Sequence, residues 1–520
     1  MSFPDLRIAA ALLIAAAVPV VLPLPVTADV RPAALFSDGA VLQRQRPVPV
    51  WGWGDEGENV TVRFNGQEKS TTVRGGRWMV RLDPMEAGGP FTLTIRGRNN
   101  VEVRDVLVGE VWVCSGQSNM QWPMKLSDMP EPDTIQKSSD PQMRLFTVPR
   151  RAADTPQSDV QARWEPCDPS TLPEFSAVAY FFGRRLRQEL NVPVGLISSN
   201  YGGTPAEAWT SCAALRFDPV LRNLLDRQAQ AAAAYPSRLA EWRRAMDAHR
   251  QEADKARQEG REPPRPPAQP QDPAESPQRP GGLYNAMIAP LIPYAIRGVI
   301  WYQGESNAGE AWLYRRLFPA MIRNWRANWG QGDFPFLFVQ LAPYTRIKPE
   351  PGDSKWAELR EAQLLTALNV PNTAMAVITD LGDENDIHPK RKAPVGERLA
   401  LAALAKAYAR KVEYSGPIYR KMQVEGSRVR LSFDHAKGGL LVHGDRLTGF
   451  TIAGGDGRFV NAEARVEGGQ VIVWSPQVPR PAAVRFGWAD YPVVNLYNRA
   501  GLPASPFRTD DFPMVTAPRS

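Results

Sequence analysis

The chain is 520 residues long, carries 62 Lys and Arg against 55 Asp and Glu for a formal net charge of +7, and contains four His and three Cys. That length exceeds a single core and calls for roughly two to four domains. The positive excess sits on arginines scattered as on solvated faces, and with no phosphate loop and no aromatic-basic interleaving the chain lacks the marks of a nucleic-acid reader. Three cysteines with no zinc spacing argue against a metal centre.

Residues 1–28 read as a cleavable leader: Arg7 precedes an apolar run from Ile8 to Leu24, broken by Pro19 and Pro23, and Val26-Thr27-Ala28 offers a small-residue cleavage site. The expected location is secreted or periplasmic. With no second long apolar stretch, no membrane span is expected after cleavage. Residues 29–105 then show short strands at Pro47 to Trp53, Val60 to Phe64, Lys69 to Val73, Arg77 to Leu82, Phe91 to Ile95 and Val101 to Val103. Turn signals at Asn65-Gly66, Gly75-Gly76 and Gly88-Gly89 separate them, the pattern of a small N-terminal β-sandwich.

From residue 106 to about 411, apolar strand-like runs alternate with helical periods. The strands are Val106 to Cys114, Val192 to Ser198, Gly298 to Tyr302, Pro335 to Leu341 and Ala374 to Ile378; the helices are Val178 to Leu190, Ala311 to Asn328, Lys355 to Leu368 and Ala393 to Arg410. This alternation predicts an α/β core whose parallel sheet is covered on both faces, with ligands bound outside the carboxyl ends of the strands. Cys114 falls inside a strand and reads as a small core residue, whereas a Cys167 to Cys212 bridge is compatible with an oxidising compartment. Residues 219–282 interrupt the pattern with a helix from Ser237 to Glu259 and a Pro-rich tract from Pro263 to Pro280, expected as an insertion with a mobile tail. Residues 412–520 return to β patterns, including Arg428 to Phe433, Thr448 to Ile452 and Gln470 to Val473, and form a C-terminal β-rich domain.

Chemistry concentrates where strands end. After Cys114 the small polar string Ser115-Gly116-Gln117-Ser118-Asn119 would hold Ser118 on a tight turn, a nucleophile's position, although the same turn would also suit a helix cap. A serine needs a base to take its proton. Of the four histidines, His249 lies in the charged insertion and His435 and His443 in the C-terminal β region, whereas His388 follows the strand Ala374 to Ile378 and shares the rim with Ser118. Asp386 is the chosen partner for its imidazole, with Asp383 and Asp380 as rivals; one histidine without a second nitrogen ligand makes a poor metal site. Two more rim loops, Asn200 to Pro205 and Gln303 to Asn307, offer a glycine N–H and an Asn or Gln amide as donors to an oxyanion, although their glycines would equally serve just to permit tight turns. Trp122, Trp209 and Tyr201 lie close to these loops in the sequence, where they suit stacking on a ligand ring and burial in the core equally well.

The blocks Gly116-Gln117-Ser118-Asn119-Met120, Gly202-Gly203-Thr204, Trp301 to Asn307 and Asp386-Ile387-His388-Pro389 resemble the sialate O-acetylesterase family of carbohydrate esterases, within the SGNH hydrolases. Gly109-Glu110-Val111-Trp112 and Gly501 to Phe507 extend the resemblance over nearly all of the chain after the leader. It implies a three-layer α/β/α esterase core, with Ser118 as nucleophile, His388 as base, Gly203 as an oxyanion donor and a third-block amide beside it. The wider pattern places the acid three residues before the histidine, where this chain has Asn385, so either Asp386 serves from two residues away on a slightly different turn or the site works as a Ser-His dyad aided by backbone. The expected activity is removal of acetyl groups from sugar hydroxyls, on O-acetyl sialic acid or acetylated hemicellulose such as xylan or xyloglucan, with no metal or cofactor. The alternatives are a carbohydrate-binding or scaffolding protein on a non-catalytic esterase frame and a secreted peptidase.

Overall fold

The computed structural model describes residues 29–518, so the expected leader lies outside the described residues. Six parallel strands form the central sheet: β1 (Asn100–Gly116), β2 (Asp140–Thr147), β3 (Val194–Asn200), β4 (Gly298–Tyr302), β5 (Phe336–Val339) and β6 (Thr373–Ala376). Their spatial order is β2-β3-β1-β4-β5-β6, with the strand Trp164–Cys167 antiparallel at the outer edge of β2. Chain order therefore reverses at β1, where β3 pairs on one side and β4 on the other. The crevice at such a switch point is where a parallel sheet binds ligands.

Alternate residues of these strands feed two separate apolar clusters, as the two-residue strand period requires. Trp112, Cys114, Leu196, Ile300, Leu337 and Ala374 pack with helices α2 (Ala177–Leu190) and, further along, α6 (Ala393–Tyr408). Val111, Val113, Ile197, Val299, Trp301 and Phe336 pack instead with α4 (Ala311–Trp329) and α5 (Lys355–Asn369). A single turn, α1 (Ser118–Gln121), directly follows β1, and the 37-residue α3 (Arg222–Gln258) lies in the insertion. Among the described residues no helix is long and apolar enough to cross a membrane.

Sequence reading splits β1 into two strands, whereas the structure makes it one of 17 residues. The polar pair Arg104-Asp105 hides the continuity: Asp105 takes a left-handed conformation (φ 55°), its pairing with Gly88–Arg96 slips there, and its carboxylate accepts from Arg144 at 2.7 Å. The N-terminal part of β1 thus belongs to the first β region, while Glu110 to Gly116 run between β3 and β4. At the junction Glu110 is fully buried and ion-paired with Arg44 and Arg297, the latter at 2.7 Å, while Gln43 donates to it at 3.0 Å. Two separate segments are therefore tied to one carboxylate of β1.

β2 was not legible, since its first half is polar and exposed. α3 begins well before Ser237 and runs through Pro236, because strong helix formers flank the proline on both sides. The Pro-rich tract folds back on α3 rather than trailing free: Trp242 donates to the Pro267 carbonyl at 3.1 Å and Gln228 to that of Pro273 at 2.8 Å. The three cysteines are free, and Cys167 and Cys212 contact different carbonyls, those of Ser138 and Pro280, so the proposed bridge is absent. Beyond α6 the C-terminal strands form two four-stranded sheets and a two-stranded ribbon. They dock on α5, where the buried Arg360 donates to the carbonyls of Ala489 and Asp490 and Gln340 donates to Ser505.

Glu110→Ala leaves two largely buried guanidinium groups without their anion and should cost about 3–5 kcal/mol of stability. Urea unfolding followed by fluorescence measures this; a loss below 1 kcal/mol would mean that the junction does not depend on the carboxylate.

Candidate active site

The register of the sheet assembles the site. Asn200, Gly116 and Tyr302 stand level on β3, β1 and β4, so three loops leave the rim side by side. Gly116 adopts φ +142°, and a Cβ on it would lie 2.1 Å from the Tyr302 carbonyl oxygen. Only glycine lets the chain turn here against β4. The next residue, Gln117, donates its N–H to the same carbonyl at 3.0 Å and accepts from the N–H groups of Gly304 and Ser306 through its side chain. Gln121, one turn of α1 later, accepts the Gly202 N–H at 2.8 Å. Ser118 is thereby held between the second and third loops.

His388 Nε2 lies 2.9 Å from Ser118 Oγ. Its Nδ1 lies 3.2 Å from Asp386 Oδ1, and that same oxygen accepts the His388 backbone N–H at 2.8 Å. A two-residue separation thus suffices, because the carboxylate curls back over its own loop to reach both groups. The rivals are occupied: Asp383 accepts the N–H of Asn385 at 2.8 Å, and Asp380 makes a two-pronged ion pair with Arg398 at 2.6 Å. Asn385 points to solvent. Hydroxyl, imidazole and carboxylate in series can activate an oxygen as a nucleophile. The other histidines stand apart, with His249 on the Pro264 carbonyl, His435 on Glu413 and His443 stacked on Tyr497.

Of the oxyanion candidates, Gly203 takes a left-handed conformation (φ +70°) beside open space, and its carbonyl accepts from Gln278. Gln303 is fully buried, and its amide hydrogens go to the Thr204 carbonyl at 3.3 Å and to Asn307 Oδ1 at 2.6 Å. Asn307 accepts the Ala206 N–H as well and donates to Glu207 at 3.0 Å, leaving its amide a second hydrogen. Trp209 is wholly buried and hydrogen-bonded to Thr204, so it cannot meet a sugar. Trp122 does lie at the site, but stacked on His388 with ring centres 4.9 Å apart.

Three residues given no role from sequence complete the site. Asn119 donates to Glu305 at 2.6 Å and to the Ile387 carbonyl at 3.0 Å, and accepts from Lys392 Nζ. The residue after Ser118 therefore clamps the residue before His388. Burial pushes the Glu305 carboxyl up and the Lys392 ammonium down to about 7, although Glu305 and Asp386 both oppose the shift on the lysine. Burial also holds His388 below the ordinary imidazole value; Asp386 raises it and Lys392 lowers it further.

The sequence itself matches known proteins. The family model for the sialic acid-specific acetylesterase type of carbohydrate esterase matches residues 275–405. Sialate O-acetylesterase of Rattus norvegicus is 33% identical over 429 residues, covering 75% of this chain and 76% of the rat protein. The chain belongs to the sialate O-acetylesterase family. The Homo sapiens sialate O-acetylesterase is 32% identical over 449 residues, covering 78% of this chain and 77% of its own. Among solved structures, a carbohydrate acetylesterase from Xanthomonas citri superposes with a TM-score of 0.79 at 39% identity, covering 93% of this chain and all of that one. The expected family membership therefore holds, and this sialate O-acetylesterase family member is an esterase.

A His388 acting as base must be neutral, so on that reading turnover should fall as pH drops through a His388 pKa lying below the usual value of about 6.5. Lys392→Met removes a lowering influence and should move the acid limb of kcat/KM for an aryl acetate to higher pH. Asp386→Asn removes a raising one and should move that limb lower while reducing kcat. Limbs that stay fixed in both variants would separate His388 from the pH profile.

Proposed function

We propose that the chain is a carbohydrate O-acetylesterase working through an acetyl-serine intermediate. The observation that carries this reading is the Ser118 Oγ to His388 Nε2 contact of 2.9 Å, on the rim where Gly203 also lies. The names of the relatives, sialate O-acetylesterase and carbohydrate acetylesterase, support acetyl esters on sugars as the substrate class. In the proposed sequence Ser118 Oγ attacks the acetyl carbonyl carbon while His388 Nε2 takes its proton and Asp386 stabilises the imidazolium. The Gly203 N–H and the Asn307 amide hold the oxyanion; Asn307 is preferred to Gln303 because both Gln303 donors are already spent. His388 then protonates the departing sugar oxygen as the ester bond breaks. A water, deprotonated by His388, attacks the acetyl-serine, and acetate leaves as the proton returns to Ser118.

The two apolar clusters on opposite faces of the sheet support a three-layer α/β/α core, which we read as spanning residues 106–411 between an N-terminal β-sandwich and a C-terminal β-rich domain. Residues 1–28 are read as an export leader, which makes the enzyme secreted or periplasmic. O-acetyl sialic acid, acetyl-xylan and acetylated xyloglucan are the substrates to compare, by acetate release. On the preferred one, Ser118→Ala should lower kcat roughly 10⁴- to 10⁶-fold with the fold intact. Equal rates in parent and variant would contradict the role of Ser118, and sugar binding without acetate release in the parent protein would favour a non-catalytic frame.

A further inference from the structure

The insertion encloses space beside the site. Between α3, the Pro-rich return and the outer sides of the second and third rim loops lies a cleft of about 770 Å³, within the range of roughly 300–1,000 Å³ typical of ligand sites. Ser118 and His388 do not line it. It borders them through three contacts: Gln278, on the return segment, donates to the Gly203 carbonyl at 2.9 Å; Ser306 donates its N–H to Gln117, the residue before Ser118; and Glu207 receives the Asn307 amide. The floor of the cleft is thus the reverse side of the loops assigned to the oxyanion.

The walls are hydrogen-bonding and nearly neutral. Arginines 227, 238 and 279 are matched in number by Glu207, Asp272 and Glu310, and Arg227 pairs directly with Glu310. Gln269 and Gln271 add amides, and no aromatic ring lines the cleft to serve as a stacking platform. Walls of this kind suit many hydroxyls better than a row of anions, which would need an excess of cations. The space also exceeds what one pyranose ring fills.

Resting on the esterase reading, we propose that this cleft binds the uncharged glycan residues flanking the acetylated sugar, so that the insertion makes the enzyme selective for acetyl groups on a chain over those on a monosaccharide. The Gln278 to Gly203 bond joins the chain-binding wall to the loop that meets the acetyl group.

Acetylated xylo-oligosaccharides of increasing length, with 4-nitrophenyl acetate as the reference ester, test this directly. In the parent enzyme kcat/KM should rise about tenfold from the single sugar to the longer chains, chiefly through KM. Gln271→Trp, which fills the cleft from an exposed position, should lower the ratio of long-chain to aryl-acetate kcat/KM by about as much. Should that variant fold poorly by circular dichroism, the double change Gln269→Ala and Arg238→Ala should move the ratio in the same direction. Aryl acetate turnover with no dependence on chain length, or a ratio unmoved in a folded variant, would overturn the cleft and leave the esterase reading standing. No turnover of any acetyl ester would instead reject the esterase reading itself. An acidic acetylated oligosaccharide gaining as much as the neutral one would overturn the assignment of an uncharged ligand.

Discussion

The close approach of Gly116 to the Tyr302 carbonyl is the constraint on which the site depends. It fixes β1 against β4 at the rim, with Asn200 of β3 level on the other side. Because parallel strands in fixed register end together, the residues that follow each strand emerge as adjacent loops. Gln117 and Gln121 then tie the Ser118 turn to its two neighbours with amide hydrogen bonds. A slip of one residue would turn the strand's side chains to the opposite faces and part Gly116 from the Tyr302 carbonyl. The placement of Ser118 is in this sense a property of the sheet.

The electrostatics follow from burial behind that turn. Asn119 reaches Glu305, Lys392 and the backbone of Ile387 at once, so one amide joins the nucleophile turn, the third polar block and the histidine loop. Lys392 lies under the rings of Trp122 and Tyr302, at 5.6 and 5.5 Å from their centres, and Trp122 covers His388. Lost hydration and a nearby lysine hold the imidazole below its ordinary pKa, while Asp386 pulls the other way. Asp386 is half exposed, and its contact with the His388 backbone N–H fixes its position beside the imidazole.

Much of this was legible in the sequence. Strands buried on both faces read as uninterrupted apolar runs, so Gly298–Tyr302 was delimited to the residue and α2, α4, α5 and α6 to within two. His388 emerged because only four histidines exist and one follows a strand. What escaped has physical causes. β2 is half exposed and carries little periodicity, Asp105 bends a continuous strand without breaking it, and Pro236 ends a pattern but not the helix. Asn119, Glu305 and Lys392 are separated by up to 273 residues, and nothing local marks their meeting. Gln303 looks like a free amide in the sequence, while the fold spends both its hydrogens; Trp209 looks like a sugar platform and is core.

The claim that most needs testing is that the acetyl group passes through Ser118. Rapid acid quenching of the enzyme during turnover of an acetyl ester, followed by peptide mass mapping, reads this directly. One acetyl group is expected on the Ser118 Oγ, absent when residue 118 is alanine. An acetyl group on another side chain, or acetate release at full rate from the alanine variant, would contradict it.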